Sequence, residues 1–509
     1  MMDAPCLLDH HGNPLPSSMM AAPDYEGASS SRRMGGWGLS SAGPNAVLSG
    51  PLSALRSRTR ALIRNNPTVA GGVDSLTANL VGTDISPQWE IDDPTEREIL
   101  QDLWADSQQE LDYNEVYDFY GQIEQVARAQ CDAGEALARF RPLPYDSGNL
   151  VPLQIQLLEA DHLDAAYNGW APNGNEIRMG IEWTRAGKRA AYWLFNEHPG
   201  EMALGFYSGD RVRIPATEIL HPFRPLRIGQ ARGCPWLAST LTKLHELDQF
   251  DDATLVRKKV AALYSVFFTS DKDPSCQPGH PASPAGKLQG KDDKGRSVVV
   301  LEPGLSCRLK PGESVTVADP GDVGDNYKDF VRHELRSVAR AMGITYEQLS
   351  GDLEGVTYSS IRAGLIEIRR FLEMIQQRVL IHQFCRPVIR RWLDTAVLSG
   401  AWRIAAARYQ KNRRYYWRIK WQPDGWDYVD PVKDRLAEQL DVRNGFDSRT
   451  SIIGRRGRDA HRVEKEIKAE NGRADESGLI FDSDPRHTEK SGAIQAAEAT
   501  TVKEAVTNV

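Results

Sequence analysis

The stretch Tyr358-Ser-Ser-Ile-Arg-Ala-Gly-Leu-Ile-Glu-Ile-Arg-Arg-Phe-Leu-Glu-Met-Ile375 decides how this chain is built. Ile361, Leu365, Ile368, Leu372, Ile375 and, just beyond it, Val379 recur at intervals of four and three, which places one apolar stripe along a helix. Ser359 or Ser360 can cap the first turn, and Gly351 and Gly355 loosen the chain before it. The pattern predicts a helix to Arg386, about 40 Å long at 1.5 Å per residue, with Pro387 ending or kinking it. No residue in it suggests catalysis. A chain organised around such a helix reads as an architectural part.

Outward from that helix, the chain divides into helical ends and a strand-rich middle. Towards the N-terminus, helices are predicted over Tyr113–Asp132, from Pro94 to Asp106, over Thr68–Leu80 and from Leu52, with Asn65-Asn-Pro breaking the last two apart. Between about 136 and 225 the period shortens to two. Ala136–Phe140, Leu153–Leu158, Ile177–Trp183, Ala190–Phe195 and Val212–Ile214 read as strands, with a hairpin at Arg185-Ala-Gly-Lys. Helices return from Trp236 to about Tyr264 and from Asn326 to Met342. Others follow over Pro431–Arg443 and Asp459–Glu470, before a polar tail from Asn471. Strand-like pieces lie at Val298–Leu301 and Ser314–Val317. Residues 1–50 read as a mobile arm, and the Pro- and Gly-dense segment 271–297 as a projecting loop. The fold class expected is α+β, mainly helical.

The 509 residues carry 62 basic and 69 acidic groups, a formal charge of −7, which argues against a protein that coats nucleic acid. The six cysteines include no CxxC pair, so no zinc ribbon is supported and reduced thiols are expected. The start, Met1-Met-Asp-Ala-Pro-Cys, has no signal-peptide character, and the longest apolar run, Val260–Phe268, is too short to span a bilayer. A soluble protein with no membrane partner is expected.

Tests for chemistry fail one by one. Ala285-Gly-Lys-Leu288 has the Gly-Lys pair of a phosphate-binding loop, but Pro281 stands where the first glycine belongs and Leu288 where a Ser or Thr holds magnesium. His245-Glu246 and His333-Glu334 lack the second histidine of a zinc helix, having Gln249 and Ser337 in its place. Asp248, Asp251 and Asp252 share a helix face, and Asp424, Asp427 and Asp430 are closely spaced. A solvated face and a turn account for these two groups better than a metal does. No cofactor and no metal are expected. The one charged pattern left over is Arg332, Arg336 and Arg340, repeating every fourth residue beside the apolar stripe Val331, Leu335, Val338 and Met342. Such a line either pairs with carboxylates, Asp248, Asp251 and Asp252 being the expected partners, or faces phosphates.

In order along the chain stand Arg56-Ser-Arg-Thr-Arg-Ala-Leu-Ile-Arg-Asn-Asn-Pro, Val81-Gly-Thr-Asp-Ile, Glu159-Ala-Asp-His-Leu, Gly180-Ile-Glu-Trp and Ala191-Tyr-Trp. Glu218-Ile-Leu-His, Arg227-Ile-Gly-Gln-Ala-Arg-Gly and Gly343-Ile-Thr-Tyr-Glu-Gln-Leu-Ser-Gly-Asp come next. Tyr358-Ser-Ser-Ile-Arg-Ala-Gly-Leu, Trp426-Asp-Tyr-Val-Asp-Pro-Val-Lys and Gly445-Phe-Asp-Ser-Arg complete the set. Over roughly residues 25 to 470 the chain resembles the portal proteins of tailed double-stranded DNA phages, in their lambda-like branch.

The resemblance implies a non-enzymatic ring, usually of twelve subunits, at one capsid vertex of the virion, through which double-stranded DNA is packaged and later ejected. It also implies assembly in the host cytoplasm and, as partners, the terminase large subunit, a head-completion or adaptor protein, and the major capsid and scaffold proteins. Carried onto this chain, the N-terminal arm is 1–50, the wing 51–235, and the stem helices 236–263 and 326–342. The clip is 264–325, and the tunnel loop is 343–358 with Ser350, Gly351, Asp352, Gly355 and Tyr358. The long wing helix and the segment after it fill 359–430, the crown is 431–470 and the tail 471–509. Another virion component, such as an adaptor or baseplate subunit, is the alternative. A packaging ATPase or nuclease ranks third.

Overall fold

The computed structural model describes residues 40–204, 209–262, 266–268, 288–291, 297–299, 306–308, 327–426, 430–481, 484 and 486. The Gly-Lys pair at 286–287, the strand expected at 314–317, Asp427, residues 1–39 of the arm and the tail residues 482, 483, 485 and 487–509 lie outside them. Of the segment 264–325, four short strands are described. Val266–Phe268 pairs parallel with Ser306–Arg308, and Leu288–Lys291, inside the expected projecting loop, pairs antiparallel with Ser297–Val299, which overlaps the strand-like piece expected from Val298.

Helices Leu52–Asn65 and Pro67–Val81 meet at the expected break, where the Asn66 side chain accepts the Val69 amide and Pro67 takes the first-turn position. Helix Pro94–Ser107 begins at Asp93, whose carboxylate caps Thr95 and Glu96. The helix expected from Tyr113 starts instead at Phe119. Asp112 binds the amides of Val116 and Tyr117 in a turn, and Asp118 caps Gly121, so the preceding aromatics lie outside the helix.

A three-stranded sheet orders Leu153–Leu158, Leu137–Pro142 and Ile219–Leu220, and a five-stranded antiparallel meander runs from Gly169 to Pro215. The single strand expected over 177–183 is two, Glu176–Arg178 and Ile181–Trp183. Met179 and Gly180 take φ of +50° and +81°, the two-residue turn that folds a hairpin. The hairpin at Arg185–Lys188 forms as expected between Ile181–Trp183 and Arg189–Phe195. Strand Ile85–Trp89, not foreseen, pairs with Ile419–Pro423 and ties the two ends of the helical body together.

The main core gathers around the long helix. Trp392 is fully buried, donates its indole N–H to Ser107 Oγ at 3.0 Å, and meets Trp104 edge-on at 5.2 Å between ring centres. Pro387 does not end the helix. Tyr358–Ile375 continues through a ten-residue π segment, Gln376–Cys385, into Arg386–Ser399, a rod of roughly 60 Å. In the π segment the Arg386 amide reaches back five residues to Ile381. The wider turn ends where proline, which has no N–H and crowds the carbonyl four residues back in an α-helix, enters the first turn of the next α segment. The π turns also aim Gln376 at the Leu80 carbonyl (2.9 Å). Gln383 pairs with both the amide and the carbonyl of Phe223 (3.1 and 3.0 Å), pinning the rod to helix and sheet.

A buried charge cluster joins these layers. Glu135 is fully buried and accepts hydrogen bonds from Arg232 Nε (2.7 Å), Arg56 Nη2, His221 Nε2 (2.9 Å) and the Gly233 amide. Both arginines also donate to the Ala160 carbonyl, Arg56 to Ala133 and Arg232 to Met179. Gly233 passes Gly134 so closely that a Cβ on it would lie 2.0 Å from the Gly134 carbonyl oxygen. Burial works to raise the Glu135 carboxyl, but Arg232 and Arg56 overcome it and hold it well below the ordinary carboxylate range.

Burial pushes the His221 imidazole down to about 4 against the pull of Glu135. As pH falls, the unfolded chain protonates this residue near its ordinary 6.5, before the folded chain does. Stability is therefore lost between those two values, by up to about 3 kcal/mol. Asp132, pushed up to about 6 by burial, acts with the opposite sign and returns part of that loss. His221→Gln is expected to shrink the drop in melting temperature between pH 7 and pH 4.5. An unchanged drop would remove His221 from the acid response.

Candidate functional site

Helices Leu241–Ala262 and Tyr327–Met342 form a two-helix stalk. Phe250 stacks on Tyr327 and meets Phe330 edge-on, the Tyr327 hydroxyl donates to Asp251 at 2.7 Å, and Lys243 pairs with Glu334 at 2.6 Å. Burial is graded along the second helix. Val338 and Met342 are fully buried at its end, while Val331 and Leu335 are half-buried. Among the described residues, the buried apolar side chains of the second helix stand at its C-terminal end.

Gly343 closes this helix at φ +84° and hands the chain to a one-turn helix, Tyr346–Ser350, inside the segment expected to be an open loop. Thr345 and Gln348 form a capping box on that turn, which is why five residues suffice to hold it. The open part is Gly351–Thr357. Gly351 and Gly355 have positive φ, Ser350 Oγ accepts the Asp352 amide, and Asp352 accepts the Glu354 amide. Leu353 stands exposed at its tip. The next helix is capped by Thr357, which forms a box with Ser360, and not by Ser359 or Ser360 as expected. Tyr358 is the first residue of that helix.

Two of the stripe arginines hold this region in place. Arg332 donates to Asp352 at 2.8 Å, and Lys328 pairs with Glu354. Arg340 pairs with Glu367 on the long helix at 2.9 Å. Arg332 and Arg336 both lie over the Tyr346 ring, at 5.8 and 5.5 Å, and the Tyr346 hydroxyl also donates to Asp352. The Arg332 hydrogen bond holds the Asp352 carboxyl down at about 2, so the pair stays ionised at neutral pH.

Within the chain, the expected pairing with the acidic helix face is not made. Among the described residues no ion pair joins the three arginines to Asp248, Asp251 or Asp252; Asp248 accepts from Asn66 and Asp251 from Tyr327. The loop supplies a nearer carboxylate than the neighbouring helix does. Arg336 has no carboxylate partner among the described residues and is exposed.

The Asp352 contact is expected to govern the loop's mobility more than the protein's stability, because partly exposed surface ion pairs contribute little to folding. Asp352→Asn is expected to speed hydrogen–deuterium exchange over 352–356 while global melting stays put. Unchanged exchange would show that the glycines and caps alone set the loop.

The long helix leaves its own surface unfinished. Leu372 and Ile375 are buried, whereas Ile361, Leu365 and Ile368 are half-buried and Ile366 is exposed. Of the acidic group at 424–430, Asp424 binds the amide and hydroxyl of Thr83 and Asp430 caps helix Pro431–Arg443. The helix expected over Asp459–Glu470 runs longer, Ala460–Ser477, capped by Asp459 and closed at Gly478. Glu159, Asp161 and His198 come within metal-ligating distance of one another. Arg60 already supplies the cation there, at 3.0 Å from Glu159 and 2.7 Å from Asp161.

The family described as phage portal protein, lambda family, matches residues 30–376. A probable portal protein of Halomonas phage phiHAP-1 is 33% identical over 64% of this chain and 61% of its own length. The portal protein of Escherichia phage N15 is 22% identical over 84% of this chain and 86% of its own. The chain thus spans less than two thirds of the length of the Halomonas phage relative. Among solved structures, a chain in the virion of a native gene transfer agent particle is 13% identical, with a TM-score of 0.41 over 79% of this chain and 92% of that one. Among the described residues no helix is long and apolar enough to cross a membrane.

Proposed function

The chain belongs to the lambda family of phage portal proteins, and from that premise we propose that it forms the ring through which double-stranded DNA enters and leaves a phage capsid. The observation that carries this reading is the half-finished surface of the long helix. Its apolar stripe is sealed at Leu372 and Ile375 and left half-open at Ile361, Leu365 and Ile368. An apolar face of this kind is stable when a neighbouring copy covers it, and cyclic closure lets one interface serve every subunit.

In this arrangement the stalk helices are the stem, Gly351–Thr357 the tunnel loop, the four short strands part of the clip, and the helices after Asp430 the crown. The protein is structural and non-enzymatic. Its clip docks the terminase and later the head-completion protein, and the assembled ring sits at a capsid vertex of the virion. Arg336 is the stripe residue free to reach a neighbouring subunit or the passing DNA. A strongly adhesive tunnel would stall the genome, since affinity grows with each phosphate neutralised. Twelve copies at −7 each, roughly −84 in all, oppose such trapping.

Light scattering on the purified protein tests the assembly. A single species near twelve subunits is expected, and a monomer would move the adaptor reading forward. ATP turnover with magnesium, lost in Lys287→Ala, would contradict the non-enzymatic reading.

A further inference from the structure

Between residues 376 and 420 stand eleven lysines and arginines and one acidic residue, Asp394, in a chain whose net charge is −7. Among the described residues only two of the eleven have a carboxylate partner, Arg408 with Glu96 and Arg413 with Asp394. The rest of the charge is uncompensated, and part of it converges. Arg386 and Arg390 lie one turn apart on the helix that follows the π segment. The Arg390 and Arg413 guanidiniums sit over the Trp417 ring at 4.8 and 4.7 Å, and Arg418 lies over Tyr415.

Between them is a cavity of about 200 Å³ lined by Arg386, Arg390, Trp417, Arg418 and Trp421, with Glu90 its one carboxylate. Trp421 is 6% exposed, and its buried indole N–H has no hydrogen-bond partner. Partial burial lowers the Arg390 pKa, and Arg386 and Arg413 add to it, as expected of crowded cations. A buried donor left without an acceptor is costly, and so is a cluster of like charges. An anion bearing several oxygens relieves both.

We propose that this face binds the phosphate backbone of duplex DNA outside any tunnel. Arginine forks fit phosphate oxygens in pairs, and two of them about 6 Å apart on one helix can meet successive phosphates of a strand. Exposed Arg403, Lys411, Arg414 and Lys420 extend the charge over a wider surface, which suits a polymer better than a free anion. The choice of DNA as that polymer rests on the portal reading; the basic face itself does not. The cavity shares no lining residue with the stalk or its loop.

A covalently closed circular duplex tests the proposal, because it has no end to thread through a ring. Full-length protein is expected to bind it, with log K falling linearly against log salt. Arg386→Gln/Arg390→Gln should flatten that slope by about 2, near 0.9 for each phosphate that is no longer neutralised. Both residues are exposed, so the fold should survive, and a thermal melt checks it. If the melt shifts, Arg418→Gln alone should flatten the slope by about 1. No binding of the circle by the wild type, or an unchanged slope in the variants, overturns the proposal. So does equal affinity for poly-glutamate, which would assign the face to an acidic protein. Light scattering on the same samples reports the ring separately, so loss of the ring and loss of this face are told apart.

Discussion

Glu135→Ala is expected to destabilise the protein by about 3–5 kcal/mol, read as a loss of folded, soluble material and a much lower denaturation midpoint. Glu135 is the shared acceptor for Arg56, Arg232, His221 and the Gly233 amide, and its carboxylate has no exposure to water. Removing it leaves two guanidiniums in a dry interior with only backbone carbonyls to hold them. The loss is structural as well as electrostatic, because those partners come from three separate segments: the Leu52–Asn65 helix, the end of strand Ile219–Leu220 and the chain at 232–233. Glu176→Ala is the control. Its partner Arg178 is half exposed, and such pairs contribute roughly 0–1 kcal/mol. Equal stability of the two variants would mean that the cluster is not the joint described.

Replacing Asp352–Val356 by two glycines is expected to leave rings assembled and reduce packaged DNA to background. The segment contributes no buried side chain, and both flanking caps survive the change: Thr345 on the helix before it and Thr357 on the one after. Its contacts with the stalk are the Arg332 and Lys328 ion pairs, which lie at the surface. Stability should therefore change little, while a loop facing the DNA would be missed at once. Packaging assays and light scattering on the same variant separate the two effects. Loss of the ring would make the segment an interface element, and normal packaging would take it out of the tunnel.

How much of this was legible beforehand depends on the range of the interaction. The long helix was plain from Ile361 to Val379, because side-chain spacing is local. Its continuation past Pro387 was not, since the proline rule applies to α turns and the sequence carries no mark of a π segment. Strand Ile85–Trp89 was hidden for two reasons: Pro87 lowers its strand signal, and its partner lies more than 300 residues away. The stripe arginines were singled out as charge-pairing or phosphate-facing residues; the carboxylates that two of them meet within the chain, Asp352 and Glu367, lie in the segments that follow and not on the facing helix. The Glu135 cluster was missed outright. Arg56, His221, Arg232 and Gly233 all stand in the stretches that carried the family resemblance, and that coincidence was the available signal. Those stretches, far apart in the chain, hold residues that the fold brings to one point.

The central claim is that the stalk and the Gly351–Thr357 loop line a tunnel. Electron cryomicroscopy of the purified oligomer tests it most directly, by showing where helix Tyr327–Met342 sits relative to the symmetry axis. The account predicts a closed ring near twelvefold, with that helix and loop innermost around a hole wide enough for duplex DNA. A ring with those elements on its outer rim, or an oligomer with no central hole, would contradict it.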